Sequence, residues 1–147
     1  MRIRIQADVE IDRPPTDVFA IVTDIVHHPD WSSGVQRVVD MSDDPVKLGT
    51  TWTQFSRIVG RQFEVHAKVI DFQPVRRFEF SVDKPTRVEM LWRLQPSPSG
   101  THVIVSAQGD AGLYYALVRP MVGALQDALA GDLARLKRRL EASPTAS

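Results

Sequence analysis

Four histidines and a scatter of carboxylates are the groups in this sequence with the chemistry for acid–base work or metal binding. His66 is the first candidate for a general base, because an imidazole titrates near neutrality. It lies in Phe63-Glu64-Val65-His66-Ala67-Lys68-Val69, where apolar and polar residues alternate. That period puts His66 with Glu64 and Lys68, opposite Phe63, Val65 and Ala67, so it is expected on a solvent-facing strand surface. His27 and His28 are consecutive, so their side chains diverge, and with only Asp30 nearby they lack the spacing of a metal pair. Asp110 and Tyr114 flank the start of the last helical segment and have the chemistry to polarise a ligand carbonyl. A turn aspartate beside a helix start is the commoner explanation for Asp110. Gln54 and Arg57 alternate with Phe55, and the strand's parity decides which of them faces inward. No Gly-x-Ser-x-Gly elbow, Walker loop or Gly-x-Gly-x-x-Gly is present, and Gly109-Asp110-Ala111-Gly112 has glycines at the wrong spacing. No metal and no cofactor is expected, and no catalytic residue can be assigned.

The larger signal is apolar. Trp31, Trp52, Phe55, Phe63, Phe80, Met90, Trp92, Tyr114 and Tyr115 are the bulky residues, and the elements that carry them follow from periodicity. Ile3, Ile5, Ala7, Val9 and Ile11 occupy alternate positions, which predicts a half-buried strand. Pro14 and Pro15 end it and open a short helix over about 15–25, with a turn or second short helix through His27–Gly34. Six further strands are predicted: 35–41, 51–59, 62–69, 78–83, 87–94 and 102–107. In strand 51–59 the parity stays open: Trp52, Gln54 and Ile58 face in, or Phe55 and Val59 do. From Leu113 the period changes, and Leu117, Met121, Leu125, Leu129, Leu133, Leu136 and Leu140 recur every three or four residues. They predict one long amphipathic helix, kinked at Pro120 or starting near it. Gly123 and Gly131 within it either permit close approach to the sheet or loosen the helix. Arg135, Lys137, Arg138 and Arg139 read as a solvated basic helix end that complements the helix dipole. Residues 1–142 are expected to form one domain, with 143–147 a frayed tail.

Bulk composition removes whole classes. The 147 residues suit a single domain, and 18 Lys plus Arg against 18 Asp plus Glu give no concentrated positive charge for nucleic acid. With no cysteine, disulfides, thiolate zinc sites and a cysteine nucleophile are absent. The first residues alternate instead of forming an apolar signal region, and no run approaches 18 apolar residues. A cytoplasmic monomer or homodimer without stable membrane insertion is the expectation.

Strand, two short helices, six strands and a long helix resemble the helix-grip fold of the START-like (SRPBCC) superfamily, in its bacterial polyketide cyclase/dehydrase and lipid-transport branch. Four places carry the resemblance: the first strand with Asp12-Arg13-Pro14-Pro15-Thr16-Asp17-Val18-Phe19-Ala20; His28-Pro29-Asp30-Trp31; Leu48-Gly49-Thr50-Thr51-Trp52; and Asp132-Leu133-Ala134-Arg135-Leu136-Lys137 with Leu140-Glu141. It implies an α+β fold in which a curved seven-stranded antiparallel sheet wraps a long C-terminal helix, with two short helices between strands 1 and 2. It also implies an apolar cavity for a small hydrophobic ligand, lipid-like or aromatic, lined by Trp31, Trp52, Gln54, Phe63, Val65, Phe80, Met90, Trp92, Tyr114, Leu117 and Met121. Other members are polyketide cyclase/dehydratase-type enzymes, which need an acid or base inside the cavity, and Hsp90-activator-like interaction domains. Fold alone does not choose among them.

Overall fold

The computed structural model describes residues 2–58 and 60–142. Val59 and the tail expected from Ser143 lie outside them. Strand β1 is Arg2–Ile11, followed by helix α1, Pro15–Val22, and a 3-10 helix, Ile25–Asp30. Strands β2 to β7 follow as Val35–Val39, Thr51–Ile58, Arg61–Gln73, Arg77–Val82, Val88–Ser97 and Gly100–Asp110. Their order in the single sheet is β1-β7-β6-β5-β4-β3-β2, and every pairing is antiparallel. Strands β2 to β7 form a meander, and β1 closes onto β7 at one edge. Only the connection from β1 to β2 must cross the sheet, and α1 and the 3-10 helix make it.

Helix α1 is shorter than the periodicity suggested. Pro14 and Pro15 start it without a side-chain cap, and its capping bonds close at Thr23, whose N–H meets the Phe19 carbonyl at 3.0 Å. Pro29 then tightens the next turns into 3-10 geometry. Irregular registers at Val35/Arg37 and Val69/Asp71 bend the sheet so that one face is concave.

At the C-terminus the helix that grips begins just past Pro120. Two 3-10 turns, 112–114 and 119–121, flank the four-residue helix α2, Tyr115–Val118, and the continuous helix α3 runs Val122–Ala142. Proline lacks an N–H and its ring clashes with the preceding turn, so 3-10 geometry interrupts the regular helix there. Leu129, Leu133, Leu136 and Leu140 of α3 are buried, each worth about 2 kcal/mol of transfer free energy. The two helix glycines do not enable close approach: a Cβ on Gly123 would meet nothing within 4 Å, and on Gly131 only the Arg135 guanidinium at 3.6 Å. The tight glycines are both in β7: a Cβ on Gly100 would lie 2.4 Å from the Ile11 carbonyl oxygen, and one on Gly109 2.6 Å from the Arg87 carbonyl oxygen.

The basic end of α3 is not simply solvated. Lys137 Nζ donates to the Glu10 carbonyl at 2.7 Å, Arg135 Nε to the Trp31 carbonyl at 2.9 Å, and Arg139 to Asp30 at 3.2 Å. From the preceding turn, Asp132 accepts from the Ser33 N–H (3.0 Å) and hydroxyl (2.9 Å), from the Ser32 hydroxyl (3.2 Å), and from Arg135. These bonds tie the helix to β1 and to the loop after the 3-10 helix.

Candidate functional site

Cross-strand register identifies the inner face. Trp52 pairs with Ala67, Gln54 with Val65, and Ser56 with Phe63. On the neighbouring strands Phe80 pairs with Val69 and Met90, and Trp92 with Phe78 and Val105. The parity of β3 is therefore decided: Trp52, Gln54 and Ser56 face inward and are buried. Phe55, one of the bulky residues expected near the cleft, faces outward and carries the Arg37 guanidinium 4.6 Å above its ring. Arg57 is exposed. A β-strand turns alternate residues to opposite faces, so a single assignment settles the whole strand.

Two features organise the inner face. The first is a row of rings. Trp52 meets Phe80 (5.2 Å between centroids), Phe80 meets Phe78 (5.6 Å), Phe78 meets Phe72 (6.2 Å), and Phe72 meets Phe19 of α1 (5.6 Å). Such contacts add about 0.5–1.5 kcal/mol each beyond burial. The second is a gradient of burial. Where α3 is held, Leu94, Val103, Leu133 and Leu136 are buried. Toward the other end of the strands Ile3, Ile5, Val88, Met90 and Phe63 are only half-buried. On the helical segment, Leu125 and Met121 are half-buried, Leu117 is 65% exposed and Leu113 is fully exposed. Burial thus falls away from the packed end along both the inner sheet face and the helical segment, and apolar surface there stays partly uncovered.

Of the residues expected to line a cavity, Trp31, Trp52, Gln54, Val65, Phe80 and Trp92 are buried, and Phe63, Met90 and Met121 are half-buried around the open end. Leu117 lies in α2, ahead of the Pro120 interruption, with its side chain mostly in solvent. Tyr114 falls in the turn 112–114, and its side chain lies outside what is described. Two shallow depressions, of about 360 Å³ and about 500 Å³, lie elsewhere. One is on the outer face around Asp40, Thr53, His66 and Lys68; the other is where Asp12–Pro15 meets the turn Ser97–Gly100.

Polar groups inside are few and specific. The Trp52 indole N–H donates to Gln54 Oε1 at 2.9 Å, and Gln54 Nε2 donates to the Ser56 hydroxyl at 2.9 Å. Ser56 is a member of this chain that periodicity alone passed over; once Trp52 is known to face in, its position at i+4 follows. Trp31 meets Trp92 edge to face, with centroids 5.6 Å apart and planes at 87°. Both are 3% exposed, and neither indole Nε1 has a hydrogen-bond acceptor among the described residues. A buried donor without a partner costs about 1–3 kcal/mol.

His28 supports this pair from behind, its ring 4.8 Å from that of Trp31. Its Nε2–H donates to the Val22 carbonyl at 2.6 Å, which leaves Nδ1 as the unprotonated nitrogen. Burial lowers its pKa from 6.5 to about 4, outweighing the backbone bond and the charges of Asp24 and Asp132. It is therefore neutral at pH 7. The other histidines face solvent: Nδ1 of His27 lies 2.7 Å from Asp24, Nδ1 of His66 3.0 Å from Asp83, and Nε2 of His102 2.7 Å from Asp8. Asp110 accepts from the Gly112 N–H at 2.9 Å, the role of a turn aspartate, and that bond heads the causes that lower its pKa. Among the described residues no three His, Cys, Asp or Glu side chains come together as a metal site. No helix among them is long and apolar enough to cross a membrane.

A sheet closed on a C-terminal helix at one end, with an aromatic and apolar inner face, defines the helix-grip class. The chain belongs to the family described as polyketide cyclase / dehydrase and lipid transport, whose pattern matches residues 2–141. Among solved structures it is similar to TTHA0849 from Thermus thermophilus, with a TM-score of 0.77 and 18% identity over 95% of this chain and 98% of that one. It is similar to Ara h 8.0201 at 0.70 and 13%, over 97% of this chain and 100% of that one. It also matches StfQ, the di-domain ARO/CYC of the steffimycin biosynthetic pathway, at 0.77 and 12%, over 97% of this chain and 52% of that longer one. At these identities the likeness concerns the fold. No curated protein matches the sequence significantly.

Proposed function

We propose that this protein binds a small hydrophobic molecule, lipid-like or aromatic, between the concave sheet face and the helical segment 113–125. The observation that carries the reading is the burial gradient. Met90, Val88, Ile5 and Phe63 on the inner sheet face, and Met121 and Leu125 on the helical segment, are only half-buried, while Leu94, Val103, Leu133 and Leu136 are fully packed. A folded chain gains about 25 cal/mol for each Å² of apolar surface it removes from water, so an apolar molecule seated there draws on surface that folding has left uncovered. Family membership supports the same reading, since lipid transport is part of the family's description.

The inward positions support binding more than acid–base chemistry. Among the described strand residues the inward side chains are apolar, amide, hydroxyl or indole, apart from Arg61 at the exposed tip of the β3–β4 hairpin. His28 is buried with its proton committed to a backbone carbonyl. A general acid or base needs a group that titrates near the working pH and reaches the substrate.

Thermal unfolding with a panel of fatty acids, quinones and flavonoids tests the reading, together with mass spectrometry of molecules released on denaturation. A ligand present at one hundred times its Kd stabilises the fold by about 2.7 kcal/mol. For a domain of this size that is a rise in Tm of roughly 5–10 °C. A panel without any shift, and a purified protein that releases nothing, would overturn it.

A further inference from the structure

Resting on that binding reading, we infer that the ligand presents a hydrogen-bond acceptor, a carbonyl-type oxygen on an apolar frame, to the indole N–H groups of Trp31 and Trp92. Both residues are only 3% exposed, and neither Nε1 has an acceptor among the described residues. Their edge-to-face contact at 87° lets one N–H point into the other ring's π face, but the reverse cannot hold at the same time. At least one donor is therefore left without a partner. Trp92 also stands where the packed floor ends: Leu94 beyond it is buried, while Met90, two residues along the same face, is half-buried. Neither Nε1 is open to solvent, so an oxygen entering from the side of Met90 reaches the pair by displacing the side chains that cover it.

The pair is held in place. Arg135 Nε holds the Trp31 carbonyl at 2.9 Å, Asp132 anchors the two serines that follow, and the His28 ring backs the indole. Trp92 is fixed by its strand partners Phe78 and Val105. A donor fixed in this way rejects an isosteric ligand that offers no acceptor, because the buried N–H then stays unpaired. The favoured class is accordingly ketones, quinones, esters and polyketones; plain hydrocarbons, and molecules whose polar atoms only donate, are disfavoured.

Three molecules of one shape test this: 9-fluorenone, with a carbonyl; fluorene, with a methylene; and carbazole, with an N–H. Affinities come from equilibrium dialysis. The indole N–H groups are followed by ¹H–¹⁵N correlation spectra, in which the chain's three tryptophans give three signals. Trp52, already bonded to Gln54, is the internal reference. Trp31→Phe and Trp92→Phe assign the signals. Fluorenone is expected to bind about 10-fold more tightly than fluorene or carbazole. It is also expected to move the Trp31 or Trp92 signal downfield while that of Trp52 stays still. In the Trp→Phe variant that removes the engaged donor, the preference for fluorenone falls away. Equal affinities for all three, or a saturated fluorenone complex with both signals unmoved, overturn the inference and leave the binding reading intact. If none of the three binds and the wider panel also fails, the binding reading falls and the inference with it. Should a variant fail to fold, the wild-type spectra alone still decide against the inference if none of the three indole signals moves in the saturated fluorenone complex.

Discussion

Acidification is expected to weaken this fold through His28. Its pKa is about 4 when folded against 6.5 as a free side chain, and burial is the main cause. Above pH 6.5 the imidazole is neutral in both states, and the difference has no effect. As pH falls from 6.5 toward 4 the unfolded chain takes up a proton that the folded chain refuses, so stability declines with pH over that window. A tenfold change in proton affinity is worth about 1.4 kcal/mol, which gives a full loss of about 3 kcal/mol and about 2 kcal/mol by pH 5. Solvent does little to screen this difference, because the residue is 5% exposed and its ring is bonded to the Val22 carbonyl. The assay is urea unfolding of the wild type and of His28→Gln at pH 7 and pH 5. Glutamine retains a donor for Val22 and does not titrate. Other titrating groups are common to both proteins and cancel in the comparison. The wild type should lose about 2 kcal/mol more than the variant between the two pH values. Equal losses in the two proteins would refute the assignment of a buried, neutral imidazole behind Trp31.

Gly123→Ala should raise stability by about 1 kcal/mol, because the site is exposed and helical and a Cβ there meets nothing; a rise in Tm checks it. Gly109→Ala should lower stability by about 1–3 kcal/mol in denaturant titration, since the new Cβ would lie 2.6 Å from the Arg87 carbonyl oxygen and 3.2 Å from Val88 Cγ2. Asp132→Ala removes the acceptor that joins α3 to Ser32 and Ser33, and should cost about 1–3 kcal/mol by the same measurement. Hydrogen exchange should find the amides of 113–121 less protected than those of 129–140, because the first group carries exposed Leu113 and Leu117 and the second the four buried leucines. Equal protection would mean that the helical segment ahead of Pro120 is held as firmly as α3.

The architecture was legible in the sequence because it rests on local rules. Alternation at Ile3–Ile11, Phe63–Val69 and Val88–Leu94 can only be a strand with one wet face. The leucines at 129, 133, 136 and 140 can only be one stripe of a helix. The prolines at 14, 15 and 120 mark where helices start and break. Composition alone removed cysteine chemistry. What tertiary structure decided were matters of partnership. The parity of β3 waited on the pairing of Trp52 with Ala67, which turned Gln54 and Ser56 inward and Phe55 out. His28 and His27 are neighbours in sequence, yet one is sealed against Trp31 and the other faces Asp24 in solvent. The basic helix end read as solvated, but its lysine and arginines reach carbonyls and a carboxylate that come from about a hundred residues earlier in the chain. Whether an indole N–H finds an acceptor depends on every group that folding brings around it. Periodicity reports which face of an element is buried, and only the packed chain determines what that face meets.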